Sequence, residues 1–198
     1  MAATGAVCKQ ERTATAKPLN PNQQNPAQQC LTMKPLTIEL SKSADGAVVL
    51  RYVRGDGSVT WQKQGGKPAL FFPLHDLTHF AVETVLEARQ GFYGLIAAGW
   101  DIGHTTGKGA KGPVPDEAMA VEHLVGMLDA ERASGAIMSA AELNEHAAAY
   151  AKKNHFSAKF ALTDKILERI RSQTADLHSR WIALPVGETM ALEFAIHG

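Results

Sequence analysis

Residues 37–62 read TIELSKSADGAVVLRYVRGDGSVTWQ, and this stretch decides the fold class. Thr37-Ile38-Glu39-Leu40-Ser41 alternates polar and apolar residues, the period of a strand with one buried face. Asp45-Gly46 is a hairpin-turn signal, and Ala47-Val48-Val49-Leu50-Arg51-Tyr52-Val53 follows it as a second strand. Gly55-Asp56-Gly57 supplies another turn before Ser58-Val59-Thr60-Trp61-Gln62, so the reading is a three-stranded meander that ends at Gly65-Gly66. Near the C-terminus Met190, Leu192, Phe194 and Ile196 alternate with Ala191, Glu193, Ala195 and His197. This fourth strand is expected to return to the same sheet.

Between the meander and the last strand the periodicity changes to that of helices, over 74–89, 92–99, 116–132, 140–153 and 163–182. Ser139-Ala140-Ala141-Glu142 has capping-box spacing, and Thr163-Asp164 and Pro115-Asp116-Glu117 place capping or acidic groups at helix starts. Ile166, Ile170, Leu177 and Trp181 recur at steps of four, seven and four, an apolar stripe facing a core. Strands first, helices next and one strand last predict an α+β domain: an antiparallel sheet of about four strands packed with about five helices.

The chain has 198 residues, of which 45% are hydrophobic and 20% charged, and its 20 basic and 20 acidic side chains cancel. This balance disfavours a generic nucleic-acid binder, and no apolar run is long enough for a membrane span. Residues 1–30, rich in Ala, Thr, Gln, Asn and Pro, have no periodic apolar pattern and read as a disordered tail. Lys9, Gln10, Glu11 and Arg12 interrupt the only candidate for a secretory signal. Met33 opens the first patterned segment and is an alternative start of the functional chain. Residues 31–198 read as a single domain. Both cysteines, Cys8 and Cys30, lie in the tail, so a metal in the domain would use His, Asp or Glu, and a cytoplasmic location is expected.

One short stretch carries a candidate site. Leu74-His75-Asp76-Leu77-Thr78-His79-Phe80-Ala81-Val82-Glu83 contains H-D-x-x-H on a helix expected to begin after Pro73. At about 100° per residue His75, His79 and Glu83 share an arc of about 80°, and imidazoles one turn apart can ligate one divalent ion. Eight histidines give about 0.3 pairs at this spacing by chance, and about 0.02 once Glu83 is required as well. The same pattern also describes a solvated helix face, because Leu74, Leu77, Phe80, Ala81, Val85 and Ala88 occupy the other side, or a buried polar network. Phe71, Phe72 and Phe80 beside the histidines suggest a pocket wall.

The H-D-x-x-H at His75, Asp76 and His79 resembles the helix motif of zinc peptidases and that of the ubiquinone-biosynthesis protein family, to which a zinc site is ascribed. In the peptidases the second position is normally a Glu acting as general base; Asp76 is one methylene shorter. In the ubiquinone-biosynthesis family a Glu follows the second His after eleven residues, where this chain has Gly91. The resemblance covers five residues and implies a metal on this helix, not membership of either family over the whole chain.

These readings converge on a small metal-binding protein with a divalent ion, zinc first, on His75, His79 and Glu83. In this reading Asp76 orients an imidazole. A further ligand or catalytic partner would come from Asp101, His104, Glu122 or His123. A metal-dependent hydrolase acting on a small-molecule substrate is the leading function. The alternative is a non-enzymatic interaction domain, self-associating as a homodimer, whose His, Asp and Glu residues are a wetted helix face. The glycine-rich loop 103–112 lacks Walker spacing, and with Lys108 and Lys111 it is a candidate lid over an anionic substrate. No G-x-S-x-G elbow is present.

Overall fold

The computed structural model describes residues 35–106, 112–157 and 160–195. The tail 1–30, the lid lysines 108 and 111 and Ile196 lie outside them.

The alternating segments form strands β1 (Leu36–Lys42), β2 (Val48–Val53), β3 (Val59–Gln64) and β4 (Thr189–Phe194). They make one antiparallel sheet in the order β3-β2-β1-β4, so the last strand pairs with the first. Register follows the apolar alternation: Leu40 sits opposite Leu50 and Met190, and Ile38 opposite Tyr52 and Leu192. These side chains are buried on one face, against the helices. At the first turn Gly46 adopts a φ of 76°, a left-handed conformation that a Cβ would disfavour, and Asp45 Oδ1 accepts the Ala47 amide at 3.0 Å.

Five helices complete the α+β architecture: α1 (Lys67–Leu86), α2 (Phe92–Ala97), α3 (Asp116–Ser134), α4 (Ala140–Lys153) and α5 (Asp164–Ala183). A 3-10 turn, Ile102–Thr106, follows α2. The capping box at Ser139 and Glu142 is present, and the Thr163 hydroxyl accepts the Ile166 amide. Asp116 and Glu117 do more than complement the α3 dipole. Asp116 accepts from the Ser157 amide, and Glu117 accepts the backbone amides of Arg89 and Gln90.

α1 departs from expectation at both ends. It begins at Lys67, with Pro68 in the first turn where an amide partner is not required, and it runs through Pro73. Pro73 removes one intrahelical hydrogen bond, but it is buried and the helix continues, so tertiary packing outweighs the local break. The helix stops at Leu86, followed by Glu87 in a left-handed conformation.

α1 is covered on more than one side. Leu77, Phe80 and Ala81 join the strands and Leu177 and Trp181 of α5 in one apolar cluster. Val82 joins Val121, Leu124 and Val125 of α3 and Leu167 and Ile170 of α5 in a second. The polar stripe of α1 is therefore buried as well: Asp76 is 4% exposed, His79 2% and Glu83 0%. This corrects the solvated-face alternative, because a helix flanked by α2, α3, α5 and the sheet has little side left for solvent.

Among the described residues no helix is long and apolar enough to cross a membrane. Leu50, fully buried at the centre of the sheet, is a sensitive reporter of this packing. Leu50→Ala should cost about 2–5 kcal/mol in equilibrium urea unfolding; a loss below about 1 kcal/mol would mean the sheet does not pack on the helices as described.

Candidate metal centre

His75 and His79 stand one turn apart on α1, with ring centroids 4.8 Å apart and planes at 77°. α3 runs antiparallel to α1 where they meet, and it brings Glu122 to His79 and Asp129 to His75. Glu122 Oε2 lies 3.0 Å from His79 Nε2, and Glu122 Oε1 lies 3.8 Å from His75 Nε2. One ligand atom from each of His75, His79 and Glu122 lies within 4.8 Å of the others, close enough to hold a metal ion.

The far side of each ring is engaged by a carboxylate. His75 Nδ1 donates to Asp129 Oδ2 at 2.7 Å, and His79 Nδ1 donates to Glu83 Oε1 at 3.2 Å. A carboxylate on Nδ1 fixes the tautomer and leaves the Nε2 lone pair free for a cation, the arrangement that orients metal-bound imidazoles. Arg132 Nη2 donates to the other Asp129 oxygen at 3.1 Å, which holds that carboxylate in place.

Glu83 is thus turned away from the three converging atoms. Its Oε2 accepts the Tyr93 amide at 3.0 Å, and the Gly94 amide also donates to it. Gly91 makes room for this: a Cβ there would sit 2.4 Å from Glu83 Cδ. The residue that stands where the ubiquinone-biosynthesis motif has its Glu is therefore a glycine against another carboxylate. Tyr93 Oη in turn donates to the Asp76 carbonyl at 2.8 Å, tying α2 to α1.

The remaining candidates lie elsewhere. Asp76 is among the residues lining a cleft beside the histidines, and its buried Oδ2 has no hydrogen-bond partner among the described residues. The position orienting each imidazole is held instead by Asp129 and Glu83. Asp101 is exposed and lies 3.5 Å from Arg54 Nη2. His104 is on the 3-10 turn, outside the group of three. His123, one residue and about 100° round α3 from Glu122, stacks on Tyr150 at 3.9 Å. Spacing alone does not single out Asp129 or Arg132, and it marks Gly91 only as a departure from the ubiquinone-biosynthesis motif. A signal for Asp129 exists in retrospect, since it follows Glu122 by seven residues, two helical turns, and so shares its face.

Buried charge dominates the site. Burial alone would push the His79 pKa down, but hydrogen bonds to Glu122 and Glu83, with their charges, outweigh it and hold the value at about 10. The His79 hydrogen bond holds Glu122 below the usual carboxylate range. Burial would raise Asp129, yet hydrogen bonds from His75 and Arg132 prevail and keep it low. Burial pushes Glu83 up, against the opposing pull of His79 and two backbone amides. Asp76 is raised by burial to about 6, despite the opposing pull of both histidines.

An open cleft of about 500 Å³ adjoins the group, bounded by α1, α2, α3, β3 and Tyr150 of α4. Phe72 forms part of its wall. Phe71 lies outside the lining and stacks on His75, with ring centroids 5.4 Å apart.

A pH dependence follows for protein kept in a chelator. The folded-state His79 pKa of about 10 exceeds its unfolded value near 6.5, so its stabilisation is complete below about pH 6.5 and is lost as pH rises through about 10. The raised pKa values of Asp76 and Glu83 also make stability fall with rising pH, at lower pH for Asp76. The melting temperature should therefore fall between about pH 6.5 and pH 9.5, and His79→Gln should flatten that slope. A level wild-type profile, or an equally steep variant, would contradict this account of the site.

The centre rests on its own geometry, since no family model, curated protein or solved structure matches the chain.

Proposed function

We propose that the chain is a zinc protein that uses the ion for hydrolysis, with His75, His79 and Glu122 as protein ligands. The observation that carries this reading is the convergence of two imidazole Nε2 atoms and one carboxylate while both Nδ1 atoms are engaged by Asp129 and Glu83. Two nitrogens and one carboxylate oxygen, with no thiol, suit zinc, and three protein ligands leave a coordination position for water or substrate. An ion there would lower the pKa of bound water towards neutrality and polarise a substrate carbonyl oxygen. The adjoining cleft gives a small molecule access to that position. The absence of cysteine from 31–198 supports a cytoplasmic setting.

A second reading is favoured by the 3.0 Å contact between His79 Nε2 and Glu122 Oε2. In it a proton on His79 takes the place of the ion, and the cluster is a partly buried ion network that stabilises the fold.

Elemental analysis of tag-free protein separates the two. The zinc reading predicts about one zinc per chain, lost in His75→Ala/His79→Ala but kept in His123→Ala, with stabilisation of the stripped protein on adding zinc. Metal-free protein that zinc does not stabilise would leave the ion-network reading in its place.

A further inference from the structure

The cleft beside the histidines contains more than possible metal ligands. Asp76 is more than nine-tenths buried and is one of the residues lining the cleft, and its buried Oδ2 has no partner among the described residues. Gln64, from the edge strand β3, lines the same cleft and its buried Oε1 is likewise without a partner among them. Buried polar atoms are nearly always hydrogen-bonded, so two in one cleft point to what occupies it. Both are acceptors, and an ionised carboxylate offers nothing else. What completes them is a donor.

The charge around the cleft narrows the class further. Four carboxylates, Asp76, Glu83, Glu122 and Asp129, surround the two histidines, and Arg132 donates to Asp129. No Lys or Arg lines the cleft among the described residues. The rest of the wall is largely apolar, including Phe92, Leu95, Ile102, Val114 and Met119. A dissolved anion would lose its hydration there and face carboxylates, whereas a neutral or cationic molecule with an apolar body would cover the wall and supply the donor.

We propose that the cleft takes an uncharged or cationic ligand with an apolar body and at least one N–H or O–H group, which Asp76 and Gln64 accept. Asp76 is then a specificity-determining residue rather than an orienter of imidazole. The inference deepens the metal reading, on which it rests only for the direction of the ligand's polar end, towards His75 and His79.

The test uses a matched trio: naphthylmethylamine, naphthylmethanol and naphthoate, which share an aromatic body and differ in the polar group. Each is titrated by NMR into full-length protein, both zinc-loaded and chelator-stripped, with zinc content measured on the same samples. In the chelator-stripped protein, where no ion can ligate a carboxylate, the amine and alcohol should bind at least about tenfold more tightly than naphthoate. Asp76→Asn should lower the affinity for the amine by about tenfold, the size of one charge-assisted hydrogen bond, while zinc content is unchanged. If Asp76→Asn fails to fold, Ala118→Trp, which places bulk in the cleft wall, should abolish binding of the amine and alcohol and keep zinc. Naphthoate binding the stripped protein as tightly as the amine, no binding by any of the three, or binding that survives both variants would overturn the inference. Failure to take up zinc would defeat the metal reading alone, because the stripped protein still ranks the three probes.

Discussion

Burial of the α1 polar stripe is the constraint on which the rest of the structure depends. An imidazole that is 2% exposed, beside a carboxylate that is fully buried, is costly unless each polar atom finds a partner. His79 meets this condition with Glu83 on one nitrogen and Glu122 on the other. Glu83 meets it with two backbone amides at the start of α2, which places α2 and requires Gly91 beside it. His75 meets it with Asp129, which Arg132 steadies. The packing of α2 and α3 against α1 is therefore specified by polar contacts as well as by the apolar clusters around Leu77 and Val82.

The same arrangement creates the chemistry. Carboxylates behind both rings hold the Nε2 atoms towards Glu122, and the cleft reaches those atoms from solvent. Without an ion the cluster is anionic and needs a proton, which is why the His79 pKa rises to about 10 although burial opposes it. A divalent ion would replace that proton and neutralise more of the carboxylate charge, so ion and proton compete for the same nitrogen. Among the described residues Asp76 Oδ2 and Gln64 Oε1, on two residues that line the adjoining cleft, have no hydrogen-bond partner.

Much of the fold was legible in the sequence because local pattern and tertiary packing agree there. The alternation in β1 and β4, the Asp45-Gly46 turn and the Ser139 capping box each express one physical requirement at short range. α1 was less legible: Pro73 argued locally for a helix start, and only its packing shows why the chain continues through it. The His75 and His79 pair was visible as a turn-spaced motif, but periodicity assigns residues to a face without saying what covers that face. Glu122 stood among several distant candidates for the same reason, and distinguishing it from its neighbour His123 needs the rotation of α3 about its own axis. The roles of Asp129 and Gly91 were not legible, because they depend on atoms brought from other elements, although Asp129 shares a helix face with Glu122.

The central claim is that His75, His79 and Glu122 form one coordination site. X-ray absorption at the zinc edge of protein loaded with one equivalent of zinc tests it most directly. The account predicts two imidazole nitrogens at about 2.0–2.1 Å and a carboxylate oxygen at about 2.0–2.2 Å, with no sulfur. One imidazole should disappear from the spectrum in His75→Ala. A zinc with sulfur ligands, or one whose spectrum is unchanged in His75→Ala, would contradict it.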